Sequence, residues 1–137
     1  MEAVGRRRRY VFDACALLAY FRNEPGADNV QELIWDSIGY VHAVNLCEIY
    51  YVLLRQTTEA EAQAVIDDIT SSGIHFHDWI DTAFWKQVGR YKAILPISIA
   101  DCFCLALAVQ EDAAIVTSDH EFDIVAEQGI CPVTFIR

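Results

Sequence analysis

Basic residues are scarce in this chain of 137 residues. Residues 10–136 hold 19 of the 20 acids, all but Glu2, and only five bases: Arg22, Arg55, Lys86, Arg90 and Lys92. That stretch carries a net charge of −14, against −10 for the whole chain. A body so acidic does not offer a general phosphate-clamping surface. Either its partner is not a nucleic acid, or cations bring the phosphate in. Long apolar runs are missing as well; none approaches the ~20 residues that would span a bilayer. The five cysteines (Cys15, Cys47, Cys102, Cys104, Cys131) are odd in number and form no Cys-x-x-Cys pair. Free thiols, most of them among apolar neighbours, in a reducing compartment are the expectation. Arg6–Arg9 ahead of apolar residues mimics a secretory leader. Asp13 interrupts that apolar stretch, however, and no small-residue cleavage site follows, so a mature cytoplasmic chain is expected.

There is no repeat, low-complexity stretch or internal linker. Residues 1–9 read as a basic N-terminal extension and residues 10–137 as one domain, a length that buries about two thirds of the unfolded surface. Hydrophobic residues make up 54% of the chain and the mean hydropathy is +0.21, so a packed core is expected. Short apolar runs alternate with helical patterns. Strands are expected at 10–12, 39–43, 74–77, 113–117 and 132–136. Helices are expected at 26–37, 45–55, 59–71, 78–94, 98–110 and 121–128, with a further one opened by Asp13. Val30, Leu33 and Ile34 sit at core spacing in one helix, and Phe84, Val88, Tyr91 and Leu95 form a stripe in another. Such alternation implies an α/β fold with a central parallel sheet of about five strands, covered on both faces.

Within Tyr10–Tyr20, YVFDACALLAY, Asp13 is an acid in an otherwise apolar run. Burying a carboxylate is expensive unless it is paired, hydrogen-bonded or bound to a metal. Three more acids occupy the same kind of position. Glu48 lies in the first turn after the second strand, Asp101 in the first turn of the apolar helix, and Asp119 directly after the fourth strand. In a parallel sheet every strand-to-helix turn lies at the carboxyl edge, where open α/β sheets bind ligands. Capping is the plain alternative: Ser98-x-x-Asp101 fits a capping box, Asn45-x-x-Glu48 resembles one, and Asp13 and Asp119 suit N-caps. Capping does not require Glu48 and Asp101 to sit among apolar neighbours, and clustered like charges repel. Hard divalent cations such as Mg²⁺, which take oxygen ligands at ~2.1 Å, resolve that repulsion. Two such ions ~4 Å apart would clamp both oxygens of an in-line phosphoryl displacement. The cation would then attract phosphate locally in place of a basic surface.

The segments VFDACALLAYFRNEPGA, VHAVNLCEIYYVLLR, LPISIADCFCLALA and IVTSDHEFD, in this order and spacing, resemble the PIN-domain ribonucleases, above all the VapC-type toxins of type II toxin–antitoxin pairs. The likeness covers nearly the whole chain after Arg9. It implies a three-layer α/β/α Rossmann-like PIN domain, Mg²⁺- or Mn²⁺-dependent cleavage of single-stranded or looped RNA, a homodimer, and inhibition by a cognate antitoxin. It places the family's acids on Asp13, Glu48, Asp101 and Asp119, and its hydroxyl on Thr117. Asp13, Asp101 and Asp119 would hold metal, and Glu48 would ligate it or orient metal-bound water. That water attacks phosphorus and leaves a 5′-phosphate and a 3′-hydroxyl. Cys15 stands where many relatives carry a small hydroxyl residue. Because the fourth acid varies in position among relatives, Glu121 could share or replace the role of Asp119, with Asp123 a weaker candidate; Ser118 and Glu121 are expected as supporting residues. Arg22 and Arg55 are candidate RNA phosphate contacts, with ordinary surface solvation as their alternative.

Other readings are disfavoured. His75 and His77 share a strand face, a spacing seen in metal sites, but no evident third ligand stands nearby. Trp79, Phe84, Trp85 and Tyr91 suit core packing or a dimer face better than base stacking, and Tyr50 and Tyr51 cannot both face the core. A phosphoaspartate phosphatase would want a second aspartate where Cys15 stands, and a receiver-like domain would want an acidic pair and a late lysine. A catalytically inactive PIN-like protein-binding module is the alternative function; its signature would be the loss of one or more acids, and all four are present.

Overall fold

The computed structural model describes residues 8–137, so Arg6, Arg7 and the rest of the extension up to residue 7 lie outside the described residues. Five strands, β1 (Arg9–Phe12), β2 (Ile38–His42), β3 (His75–His77), β4 (Ala114–Thr117) and β5 (Val133–Phe135), form one sheet. Their order is β3-β2-β1-β4-β5, with every neighbouring pair parallel. Seven helices surround it: α1 (Ala14–Phe21), α2 (Ala27–Asp36), α3 (Ala43–Gln56), α4 (Glu59–Ser71), α5 (Thr82–Ile94), α6 (Ile99–Gln110) and α7 (Asp123–Glu127). A 3₁₀ turn at His120–Phe122 precedes α7. Among the described residues, no helix is long and apolar enough to cross a membrane.

The two-residue period of the strands splits the core into two apolar layers. Val11, Tyr40 and Ile115 face one side, against Phe84, Val88 and Tyr91 of α5 and Leu105 and Leu107 of α6. Tyr10, Phe12, Val41 and Val116 face the other, against Leu17 of α1, Val30 of α2, Ile49 and Leu53 of α3 and Ile69 of α4. The result is the expected three-layer α/β/α arrangement. Register locks the centre: Val11 stands between Tyr40 and Ile115. Gly39 in β2 is required there, because a Cβ would lie 2.7 Å from the Phe12 ring.

Capping explains where the expected boundaries move. The helix expected at 78–94 begins at Thr82, because Asp81 is its N-cap and accepts from the Phe84 N–H at 2.8 Å. The helix expected to begin at Asn45 begins at Ala43, with His42 as the cap; its Nδ1 accepts from the Val44 N–H at 3.1 Å. Asn45 is therefore an interior residue of α3, not its cap. The helix expected over 121–128 is a 3₁₀ turn followed by the short α7.

Candidate active site at the strand-order reversal

From β1 the chain steps outward to β2 and β3, then returns to β4 on the other flank of β1. A crevice opens at the carboxyl ends of such a reversal, where Asp13 directly follows β1 and Thr117 ends β4. Asp13 is buried, 2% exposed. One of its carboxylate oxygens accepts from the Ala16 N–H at 2.8 Å and the other accepts from the Thr117 hydroxyl. Thr117, fully buried, in turn accepts from the Asp119 N–H at 2.9 Å. Asp119 accepts from the Glu121 N–H at 2.9 Å, which shapes the 3₁₀ turn. A single hydrogen-bonded run thus ties the end of β1 to the segment after β4.

The other two acids come in on helices: Asp101 in the first turn of α6, and Glu48 beyond the first turn of α3, because that helix starts at Ala43 and not at the expected Asn45. Asp101 is buried at the opening of α6, where its N–H donates to the Ser98 hydroxyl at 3.1 Å. Glu48, half-buried, lies one turn into α3. Oxygens of Asp101, Asp119 and Glu121 all lie within 4.8 Å of one another, the one such grouping of potential metal ligands among the described residues. Burial pushes the Asp13 carboxyl up to about 7 despite its two donors, with the charges of Asp101 and Asp119 adding to the shift. Burial likewise raises Asp101 to about 6, against the Ser98 hydroxyl, with Asp119 and Glu48 contributing. Glu48 is raised by burial and by Asp119. The Cys15 thiol reports the convergence: burial, then Asp13, Asp119, Glu48 and Asp101, push it to about 12.

No Lys, Arg or His pairs with Asp13, Glu48, Asp101 or Asp119 among the described residues. Buried acids without a cation in reach suit a hard divalent ion, which takes several carboxylate oxygens at once. The donor set therefore fits Mg²⁺ or Mn²⁺. Glu121 stands with this group, while Asp123 turns instead to His120, at 3.2 Å. Ser118 is half-buried beside Thr117 and makes no side-chain hydrogen bond among the described residues.

The remaining candidates fall elsewhere. Arg22 donates to Gln56 and pairs with Glu24 at 3.7 Å; Arg55 lies over the Tyr51 ring at 5.1 Å. His75 and His77 both flank Tyr40, with ring centroids at 5.3 and 5.5 Å, and belong to no metal-ligand grouping among the described residues. Phe84 and Tyr91 are core, Trp79 and Trp85 are exposed, and Tyr51 is exposed while Tyr50 packs against the core. One residue escaped the sequence reading. Asn45 is 1% exposed and its amide nitrogen has no hydrogen-bond partner among the described residues. Its only signal was a polar residue on the buried stripe Asn45, Ile49, Leu53.

A three-layer parallel α/β domain whose acids gather at the strand-order reversal defines the class. The chain belongs to the PIN domain family, whose model matches residues 10–128. No curated protein matches the sequence. Solved structures share the fold at low identity. VapBC2 from Rickettsia felis, bound to a DNA fragment from its promoter, is 16% identical at a TM-score of 0.73, covering 93% of this chain and 98% of that one. The DNA-bound VapBC of Salmonella typhimurium is 14% identical at 0.73, covering 95% and 99%. VapC20 of Mycobacterium tuberculosis, a sarcin–ricin-loop-cleaving toxin, is 12% identical at 0.70, covering 85% and 94%.

Proposed function

We propose that this chain is a divalent-cation-dependent endoribonuclease, acting in the cytoplasm as the toxin of a toxin–antitoxin pair. The observation that carries the proposal is the grouping of Asp101, Asp119 and Glu121 oxygens within 4.8 Å, beside a buried Asp13, with no cation paired with them among the described residues. Asp13, Asp101 and Asp119, joined by Glu121, would hold Mg²⁺ or Mn²⁺. When bound, the cation supplies an acidified water and neutralises charge on the attacked phosphate. The residues do the rest. The Ala16 N–H and the Thr117 hydroxyl fix both oxygens of Asp13, so the carboxylate meets its ligand without searching for a rotamer. Glu48, half-buried and with its carboxyl raised by burial and by Asp119, would ligate the cation or orient the water it supplies. Ser118 is a further hydroxyl at the same edge.

The proposal extends to a homodimer and to a cognate antitoxin that blocks the crevice. Support for the antitoxin comes from the fold shared with the VapBC complexes of Rickettsia felis and Salmonella typhimurium. The test is cleavage of a mixed structured RNA pool by the purified full-length protein in Mg²⁺, Mn²⁺ or EDTA. Cutting should require the cation and disappear in Asp13→Asn and Asp101→Asn proteins of matched thermal stability. A folded, partner-free wild type that neither cuts RNA nor binds Mn²⁺ would overturn the proposal in favour of a protein-binding module.

A further inference from the structure

The exposed side of α3 begins at the acid cluster and leads away from it. Glu48 and Arg55 are seven residues apart, two helical turns and about 10 Å along the axis, so they share a face. Tyr51 lies three residues after Glu48 and four before Arg55, on the same side. Tyr51 is 44% exposed, and the Arg55 guanidinium holds its ring in a cation–π contact at 5.1 Å. Arg55 has no acidic partner among the described residues.

Charge distribution singles out this end of the helix. Of the five bases in residues 10–136, Lys86, Arg90 and Lys92 all lie on α5. The other two converge here: Arg22, the residue closing α1, donates to Gln56, the neighbour of Arg55 at the end of α3. In a body of net charge −14, Arg55, with Arg22 close by and itself paired with Glu24 at 3.7 Å, sets a cation beside an exposed ring on the helix that carries Glu48.

We propose that this face of α3 is the track on which single-stranded RNA enters the site, with one unpaired base stacked on Tyr51 and a phosphate held by Arg55, assisted by Arg22. The inference rests on the nuclease reading and adds to it the residues outside the acid cluster that hold the strand. Stacking on an aromatic side chain needs a base free of its duplex partner but tolerates any sequence. A strand so held runs past Glu48 toward Asp101 and Asp119. Cys47 and Leu54, exposed on the same side, border the track without charge of either sign.

The test is fluorescence anisotropy of a labelled mixed-sequence single-stranded RNA with full-length protein in Ca²⁺, at several salt concentrations. A hairpin-free duplex RNA is the second probe. Tyr51→Leu should weaken single-strand binding about tenfold, within the range of one lost stacking contact, and should leave the weaker duplex binding unchanged. Arg55→Gln should weaken binding and lower the salt slope by about 0.7, as one lost phosphate contact does on a single strand. Lys86→Gln, on α5, should change neither. Single-strand binding within twofold of wild type and an unchanged salt slope in both α3 variants would overturn the track. Loss of a dimer or of antitoxin binding in Tyr51→Leu, with RNA binding intact, would overturn it too and assign the face to a protein. Wild-type cleavage in Mn²⁺ separates the two levels: if wild type cuts RNA while both variants bind normally, only the track fails. If wild type neither cuts nor binds RNA, the nuclease reading fails with it.

Discussion

Asp13 and Asp81 make the same hydrogen bond. Each caps a helix, and each accepts from the backbone N–H three residues on at 2.8 Å. For Asp81 the account ends there: it is exposed, and its helix needs a cap. Asp13 is 2% exposed, takes a second hydrogen bond from Thr117, and lies within electrostatic reach of Asp101 and Asp119. Capping does not require burial, and burial of a charged cap beside other acids opposes folding. On the proposed reading, the difference separates a structural acid from a chemical one: both satisfy the helix, and only Asp13 is placed where its charge needs an outside partner.

The largest expected effect divides the two residues by activity. Asp13→Asn keeps an acceptor for the Ala16 N–H and removes the charge, so the fold should persist while cation-dependent RNA cleavage falls by about 100-fold or more, beyond the loss typical of a residue that only supports a ligand. Asp81→Asn should leave cleavage unchanged. Equal activity in the two variants would erase the distinction. Thr117→Val is the intermediate case. It preserves shape but withdraws the donor to Asp13 and the acceptor of the Asp119 N–H, and it should weaken Mn²⁺ binding about 10- to 100-fold, read by calorimetry.

Stability against pH sharpens the same contrast. The folded-state value of Asp13 is raised from 3.8 to about 7 and that of Asp101 from 3.8 to about 6, by burial first. Between the unfolded and folded values the native state binds more protons than the unfolded chain, so stability decreases as pH rises. The contribution is fully present below about pH 4 and is lost as pH passes through 6 and 7. The metal-free protein should therefore melt at lower temperature at pH 7.5 than at pH 5. Mn²⁺ should restore the difference, and Asp13→Asn should flatten the slope where Asp81→Asn does not. A metal-free wild type whose melting temperature is the same at both pH values would contradict the burial argument.

The acids were readable in the sequence because a parallel sheet sends every strand-to-helix turn to one edge; Asp13, Glu48, Asp101 and Asp119 needed only the alternation of strands and helices to be placed together. The stripe Phe84, Val88, Tyr91, Leu95 was readable for the same reason, since helical period marks a core face, and all four are buried. Helix starts were less legible. Both Asp78 and Asp81 suit a cap, and the chain uses Asp81; a histidine cap such as His42 has no strong sequence signature. The place of Glu121 beside Asp101 and Asp119 depends on a 3₁₀ turn held by Asp119 itself, a detail that periodicity does not encode. Asn45 was hidden by its resemblance to a cap, although it lies on the buried stripe of α3.

The smallest expected effect belongs to Asp81. Asp81→Ala removes the acceptor of the Phe84 N–H and nothing else, because the residue is exposed and bonded to that amide alone among side-chain contacts. Loss of an N-cap typically costs about 1 kcal/mol, and α5 has compensating anchors in the buried Phe84, Val88 and Tyr91. Urea denaturation should show a lower midpoint with an unchanged slope, and cleavage per folded molecule should equal wild type. A much larger loss of stability would mean that Asp81 supports packing of the β3–α5 connection as well as the helix end. A loss of cleavage would carry more weight, since α5 holds none of the four acids, and it would return Asp81 to the class from which its exposure now separates it.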